Sequence, residues 1–314
     1  MSIKTKKAIL LYVNLNYFCN NKCLFCASSS KTLRQEESKA YLNIGDFRKI
    51  LNKLAGIKIS SAIINGGEPT LNRDIIEINK LMKRRKIFSM FFTNGRRLAD
   101  TRFAQRFIKS FYGCLSVPLY GHNSSTHDHF TGVKGSFRET IAGIRNIIQL
   151  REKLGLPILL EIKLLFLATS LKESIKIYKY ILNKFPTTDS VSLNHLIQSD
   201  AVKRSPKLIP RIDSLRRAIN GVLDYAIKLP PATIKKTSIY RLPLCLIDKK
   251  NKIFFKSTSK NNLGGAMIYI DPFSCSLMKK GKNKKTITSN LCSKCCMRSD
   301  EPGYVKAECP FKGK

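Results

Sequence analysis

A chain of 314 residues, 43% hydrophobic and 25% charged, has the composition of a folded globular protein, with room for one large α/β domain or two domains. No apolar run is long enough to span a bilayer. The basic stretch from Met1 to Lys7 leads into an apolar run too short, and too soon broken by Asn14 and Asn16, for an export signal. The 57 Lys and Arg against 21 Asp and Glu leave a net charge of +36. That charge suits nucleic acid, an anionic membrane surface or an acidic peptide, or else reflects a Lys-, Ile- and Asn-rich composition on a solvated surface.

The apolar run from Ala8 to Val13 reads as a strand, and it feeds Cys19-Asn-Asn-Lys-Cys23-Leu-Phe-Cys26. Phe47, Ile50, Leu51 and Leu54 recur at helical spacing, with Gly56 placed to cap them. Ile59 to Ile64 is a second strand, running into Asn65-Gly66-Gly67-Glu68-Pro69-Thr70. Asn72 is expected to cap the next helix, whose acidic start (Asp74, Glu77) and basic end (Lys83 to Lys86) suit the macrodipole. Ile87 to Phe92 is a third strand, ending at Thr93-Asn94-Gly95. Asp100 caps a helix carrying Phe103, Phe107 and Ile108, and Cys114 to Leu119 is a fourth strand. The loop from Tyr120 to Gly135 holds His122, His127 and His129, expected to be solvated or hydrogen-bonded rather than catalytic.

Ser136-Phe-Arg-Glu139 and Ser170-Leu-Lys-Glu173 have the spacing of capping boxes, each opening an amphipathic helix. Ile158 to Leu167 and Ser190 to Ile197 supply a fifth and sixth strand. Six strand–helix alternations imply a parallel sheet, because parallel neighbours need crossover helices. Six units are too few for a closed eight-fold barrel, which leaves a partial barrel or an open doubly wound sheet. One further helix, about Ile212 to Ile227, precedes Pro230-Pro231, a candidate domain boundary. From Thr237 onward the chain is rich in Lys, Ser, Gly and Cys, with β-like runs at Lys252–Phe255 and Ala266–Ile270 and too thin a core to stand without cross-links or metals.

Of the ten cysteines, three lie in the first loop and six from Cys245 onward, including Cys292-Ser-Lys-Cys295-Cys296. Such clustering without an export signal favours metal or redox chemistry in a reducing, cytoplasmic compartment. Three local thiolates leave one position of a tetrahedral metal site to be closed by a distant residue or kept open for a substrate or cofactor. A structural zinc site completed by Cys114 or a histidine is one solution, although Cys114 also reads as a small core residue. In parallel α/β folds ligands gather at the C-terminal strand ends. The cysteine loop, Gly66-Gly67-Glu68-Pro69, Thr93-Asn94-Gly95 and Ser116 to Gly121 should therefore share one mouth of the sheet. Gly66 and Gly67 would let backbone approach a ligand, and Glu68 could hold a cationic amine.

These motifs resemble the radical S-adenosylmethionine (radical SAM) enzymes. The resemblance rests on Cys19-xxx-Cys23-xx-Cys26 with Phe25 before the last cysteine, on Gly66-Gly67-Glu68-Pro69 and on Thr93-Asn94-Gly95. It continues through Ser116-Val-Pro-Leu-Tyr-Gly, His127-Asp128 and Thr131-Gly-Val-Lys-Gly-Ser-Phe137, covering about Ala8 to Ile197. It implies that Cys19, Cys23 and Cys26 bind three irons of a 4Fe-4S cluster whose fourth iron holds the amino and carboxyl groups of S-adenosyl-L-methionine. Glu68 and the Gly66-Gly67 backbone would hold the methionine amino group, Asn94 and Ser116 would face the cofactor, with Ser116 near the ribose, and Phe25 would lie by the adenine. An electron donor of flavodoxin or ferredoxin type would reduce the cluster, and the 5′-deoxyadenosyl radical would abstract a substrate hydrogen.

The later cysteines resemble the SPASM and shorter twitch extensions of the same superfamily, which carry auxiliary iron–sulfur clusters. The implied ligands are Cys245, Cys292, Cys295 and Cys309, with Cys296, Cys275 or Glu301 as substitutes and zinc as an alternative occupant. The expected architecture is thus α/β, a partial (βα)6 TIM-like barrel core over residues 1–230 with a small cysteine-rich C-terminal domain over 231–314. The expected substrate is a peptide or protein. RNA or a phosphorylated small metabolite is the alternative, and a non-catalytic metal-binding nucleic-acid module the reading from another class.

Overall fold

The computed structural model describes residues 8–26, 38–196, 206–240, 242, 246–254 and 267–278. Strand β1 (Ile9–Asn14) is followed by helix α1 (Ile44–Lys53), β2 (Ile59–Asn65), α2 (Ile75–Arg84), β3 (Phe88–Phe92), α3 (Thr101–Ser110) and β4 (Gly113–Leu119). Then come two helices, α4 (Ser124–Thr131) and α5 (Ser136–Lys153), before β5 (Leu159–Phe166), α6 (Ser174–Lys184) and β6 (Ser190–His195). The described chain continues with α7 (Ile212–Ala226), α8 (Pro231–Lys236), β7 (Thr237–Tyr240), β8 (Met267–Ile270) and β9 (Cys275–Met278).

The nine strands form one sheet in the order β7-β6-β5-β4-β3-β2-β1-β8-β9, parallel throughout except where β9 returns beside β8. From β1 to β6 the spatial order is the chain order. Right-handed crossovers that always step the same way put every helix on one face of the sheet. A doubly wound sheet would reverse direction at β1, so the choice between the two architectures falls to the TIM-like partial barrel. The sheet crosses the expected 230/231 boundary, because β7 pairs with β6 on one side and β8 pairs with β1 on the other.

Alternation along the strands separates two environments. On β5, Leu160, Ile162, Leu164 and Phe166 are fully buried against the helices, whereas Glu161, Lys163 and Leu165 are half-buried and face the barrel interior. The helical layer packs mainly through Ile and Leu, with an aromatic cluster at α3, where Phe107 lies 5.2 Å from Phe91 of β3, 5.9 Å from Phe103 and 5.5 Å from Phe111.

Several local expectations change. Asp100 caps α3, accepting from the amides of Arg102 and Phe103, but Asn72 takes the amide of Asp74, one position before α2 begins. Neither capping box forms. Helix α5 starts at Ser136 itself, and the carboxylate of Asp128 on α4 accepts from the amides of Gly135 and Phe137 and from the Ser136 hydroxyl. Glu173 ends a single-turn helix and receives the Thr126 hydroxyl. The loop read from Tyr120 to Gly135 contains α4, and of the run Lys252–Phe255 the described residues, Lys252 to Phe254, end a short helical segment, Lys249–Phe254, rather than form a strand, while Phe255 lies outside the described residues.

The aromatic cluster at α3 yields a stability test. Phe107→Ala removes a fully buried ring and is expected to destabilise the fold by about 3–5 kcal/mol, read as a lowered urea midpoint with an unchanged slope.

Candidate active site

All four strand-end motifs meet. A cavity of about 360 Å³ at the C-terminal ends of the strands is lined by Cys19, Cys23, Phe25, Cys26, Gly66, Gly67, Glu68, Asn94 and Ser116 among others. Its cysteine wall is the loop after β1, clamped from two sides. From the end of β2, the amides of Gly67 and Glu68 donate to the carbonyls of Asn16 (2.7 Å) and Phe18 (2.8 Å), while Asn16 Nδ2 returns bonds to the carbonyls of Phe18 and Glu68. From the end of α4, the carbonyls of Thr131 and Phe130 accept the amides of Lys22 and Leu24.

The two glycines are required by that first clamp. A Cβ on Gly66, at φ +135°, would sit 2.4 Å from the carbonyl oxygen of Asn16, and one on Gly67 would sit 2.2 Å from that of Phe18. In the fold their smallness brings two protein backbones together, which the expectation of a ligand approach did not include.

Glu68 is 1% exposed. Its Oε1 accepts from the Thr70 amide (3.0 Å), the Thr70 hydroxyl (2.6 Å) and the Thr93 hydroxyl (2.7 Å), and its Oε2 accepts from the Asn94 amide at 2.7 Å. Burial nevertheless pushes its pKa up against those bonds. A buried carboxylate in this balance is stabilised by any cation brought beside it, and Oε2 retains acceptor capacity for one. Asn94 reaches the other way. Its Nδ2 donates to Asn20 Oδ1 at 2.7 Å and stands 3.8 Å from Cys19 Sγ. Ser116 is fully buried with its hydroxyl donated to the Glu161 carboxylate. Phe25 packs edge-on to Tyr120, 5.0 Å between centroids, in a small apolar cluster with Phe130 and Leu196.

Burial, aided by the neighbouring sulfurs, holds Cys19 at about 11 and Cys23 at about 12, although Cys19 itself reaches the surface. Thiols held protonated this way give up their protons to a cationic metal centre. With Cys26 they make three thiols at one wall of a cavity, on a loop held in place, a donor set of the chemistry that an iron–sulfur cluster takes. Cys114 is excluded as a further ligand for this loop, because it lies buried at the N-terminal end of β4, away from the cavity mouth. Cys275 is exposed on β9, while Cys245, Cys292, Cys295, Cys296, Cys309 and Glu301 lie outside the described residues.

The opposite wall escaped the reading of the sequence. Lys163, Asn194, His195 and Tyr240 line it, from β5, β6 and β7. Lys163 rests its ammonium 3.9 Å over the Phe92 ring and 3.7 Å from Glu161. The signal was present in Leu160-Glu161-Ile162-Lys163-Leu164, where charged residues alternate with apolar ones on a strand of a parallel sheet. His127 is buried in structure rather than chemistry: its Nδ1 accepts the Tyr120 amide at 3.2 Å, and burial drives its pKa down to about 4. Burial does the same to His195.

Comparison with known proteins follows this geometry. The family model described as the Radical SAM superfamily matches residues 13–161. The chain is 28% identical over 153 residues to the Fe-coproporphyrin III synthase of Methanosarcina barkeri, covering 49% of this chain and 37% of that protein. It is 30% identical over 139 residues to the mycofactocin maturase MftC of Mycolicibacterium smegmatis, covering 44% and 34%. The crystal structure of Streptococcus suis SuiB bound to S-adenosylmethionine superposes with a TM-score of 0.60 over 84% of this chain and 58% of that one, at 17% identity. The chain therefore spans less than two fifths of the length of the two curated relatives, and the SuiB likeness is one of fold.

Two outcomes test the site. Gly67→Ala is expected to spring the cysteine loop from β2 and cut iron retained after anaerobic reconstitution severalfold, with the overall circular dichroism preserved. His127 and His195 have folded pKa values depressed from about 6.5 to about 4, so below 6.5 the unfolded chain binds protons that the folded chain refuses. Stability is thus full above pH 6.5 and falls towards pH 4, and a His127→Gln variant is expected to show a shallower fall in urea titrations across that window.

Proposed function

Because residues 13–161 match the family model of the radical SAM superfamily, we propose that the chain is an enzyme that holds a 4Fe-4S cluster on Cys19, Cys23 and Cys26 and acts on S-adenosyl-L-methionine beside it. The observation that carries this reading is one cavity with three thiols on one wall, Cys19 exposed and Cys23 and Cys26 half-buried, and the buried carboxylate of Glu68 on the next. A cluster held by Cys19, Cys23 and Cys26 would supply the electron for reductive cleavage of S-adenosylmethionine, the chemistry that equips such a site to remove a hydrogen atom from a substrate.

The chain's own residues perform the rest. Glu68 offers Oε2 to the methionine amino group, while its Oε1 is held in place by Thr70 and Thr93. Phe25 presents an apolar edge beside the cysteines for the adenine, and Ser116, which lines the same cavity with its hydroxyl donated to Glu161, would face the ribose. Lys163, Asn194, His195 and Tyr240 supply the polar wall on the substrate side.

The substrate reading is a peptide or protein. It is supported by the match to a mycofactocin maturase and by the likeness of Cys245, Cys292, Cys295 and Cys309 to auxiliary-cluster ligands. A tetrapyrrole is the second reading, favoured by the similar match to an Fe-coproporphyrin III synthase.

Anaerobic reconstitution with iron and sulfide, reduction with dithionite and assay for 5′-deoxyadenosine test the chemistry. The wild type is expected to cleave S-adenosylmethionine and Cys23→Ala to lose that cleavage entirely; a wild type with full iron and no 5′-deoxyadenosine would sink the proposal. Cys292→Ala is expected to lower iron per chain while leaving the iron held by the first loop, and an unchanged iron content would remove the auxiliary cluster from the proposal.

A further inference from the structure

We propose that Arg96 is a positioning residue of the cysteine loop that makes a cluster bound there easier to reduce, acting through Asn20 and Asn21 without touching a thiol. The inference rests on the reading of Cys19, Cys23 and Cys26 as cluster ligands.

Arg96 opens the short helical turn that follows β3, and its side chain is 11% exposed. One guanidinium nitrogen, Nη1, donates both to the carbonyl oxygen of Asn20 and to Asn21 Oδ1, the latter at 2.8 Å. Nε donates to Glu139 at 2.5 Å across from α5. Asn20 and Asn21 directly follow Cys19, and the Asn21 amide donates to Cys19 Sγ at 3.3 Å. Asn94 completes the brace: its Oδ1 accepts the Arg96 amide at 3.0 Å, and its Nδ2 binds Asn20 Oδ1 while standing 3.8 Å from the same sulfur.

Two N–H groups are therefore held toward one sulfur by a cation that grips the two residues between them. Hydrogen bonds to the sulfurs and nearby positive charge favour the more negative, reduced cluster and raise its potential. The planar fork matters, because a lysine ammonium carries the charge but does not reproduce the paired grip. Glu139 opposes the effect: its carboxylate, 43% exposed, partly neutralises the guanidinium.

Residues on separate elements thus converge on the loop for reasons beyond packing. A solely structural brace would govern how much cluster is held. A brace that also tunes the cluster moves the midpoint of whatever is held, and with a sign set by charge.

The experiment is an EPR-monitored redox titration of the anaerobically reconstituted full chain without S-adenosylmethionine, with iron and sulfide counted per chain. Arg96→Gln is expected to shift the cluster midpoint to more negative potential, and Arg96→Lys to shift it less. Glu139→Gln, which removes the opposing charge and keeps an acceptor for Nε, is expected to shift it to more positive potential. An Arg96→Gln midpoint equal to that of the wild type overturns the proposal, as does a Glu139→Gln midpoint that stays put or moves negative. If Arg96→Gln holds no cluster, the sign for Glu139→Gln decides. A wild type that takes up no cluster defeats the underlying cluster reading instead, and that failure is seen in the iron count before any titration.

Discussion

The architecture of the cavity depends on one backbone contact. The end of β2 lies against the start of the cysteine loop at a separation that no side chain at Gly66 or Gly67 would permit. Two amide-to-carbonyl bonds from Gly67 and Glu68 to Asn16 and Phe18 fix the loop to the sheet. The same contact places the Glu68 side chain under the ends of β2 and β3, since the residue that donates its amide to Phe18 also projects its carboxylate toward Thr93 and Asn94. Loop position and buried charge are consequences of one pairing, and neither can shift without the other.

The electrostatics of the cavity follow from burial. In an overall charge of +36, the ionisable side chains lining the cysteine side of the cavity are thiols and one carboxylate, all pushed toward their neutral forms where a shift is resolved. Desolvation destabilises anions there, and a cation brought beside them, as proposed a metal at the thiols and an ammonium at Glu68, would offset that cost. The basic surface does not supply these cations, because Arg96 is engaged with Glu139, Asn20 and Asn21, and Arg97 donates to the carbonyl of Thr70 and lies 3.9 Å over the Phe103 ring. The polyanion reading of the composition thus concerns the exterior, and the cavity answers to a different rule.

The strand–helix alternation was legible because it depends on apolar periodicity, which burial against a helical layer enforces. All six predicted strands of the barrel appear within two residues of their expected ends. The cavity's cysteine side was legible too, since thiol spacing and paired glycines are local patterns. What escaped depended on distant partners. The capping boxes at Ser136 and Ser170 lost to tertiary contacts, with Asp128 reaching from α4 to serve the start of α5. Helix α4 was hidden because Ser-Ser-Thr-His-Asp-His-Phe-Thr has weak propensity and little amphipathic pattern; it is held by its Asn123 cap and the buried Phe130. Lys163 and Asn194 were passed over because apolar runs were read as strands without asking which polar residues the other face carried.

Sheet pairing continues across 230/231, and its topology bears on the chemistry. Strand β8 lies beside β1, with Tyr269 stacked on Tyr12 at 5.8 Å and accepting from Asn14. The turn after it stacks Phe273 on Tyr17 at 5.9 Å, two residues before Cys19. Because β1 and β8 are parallel, the chain leaves β8 at the same end at which it enters the cysteine loop. Cys275 follows within that turn's return strand. Cys275 lies at that end, and β9 then carries the chain back antiparallel to β8 until Met278 stands beside Met267; the later cysteines beyond it lie outside the described residues. Pairing of β8 with β1 therefore also brings Cys275, through the turn that stacks Phe273 on Tyr17, to the sheet end that carries the cysteine loop.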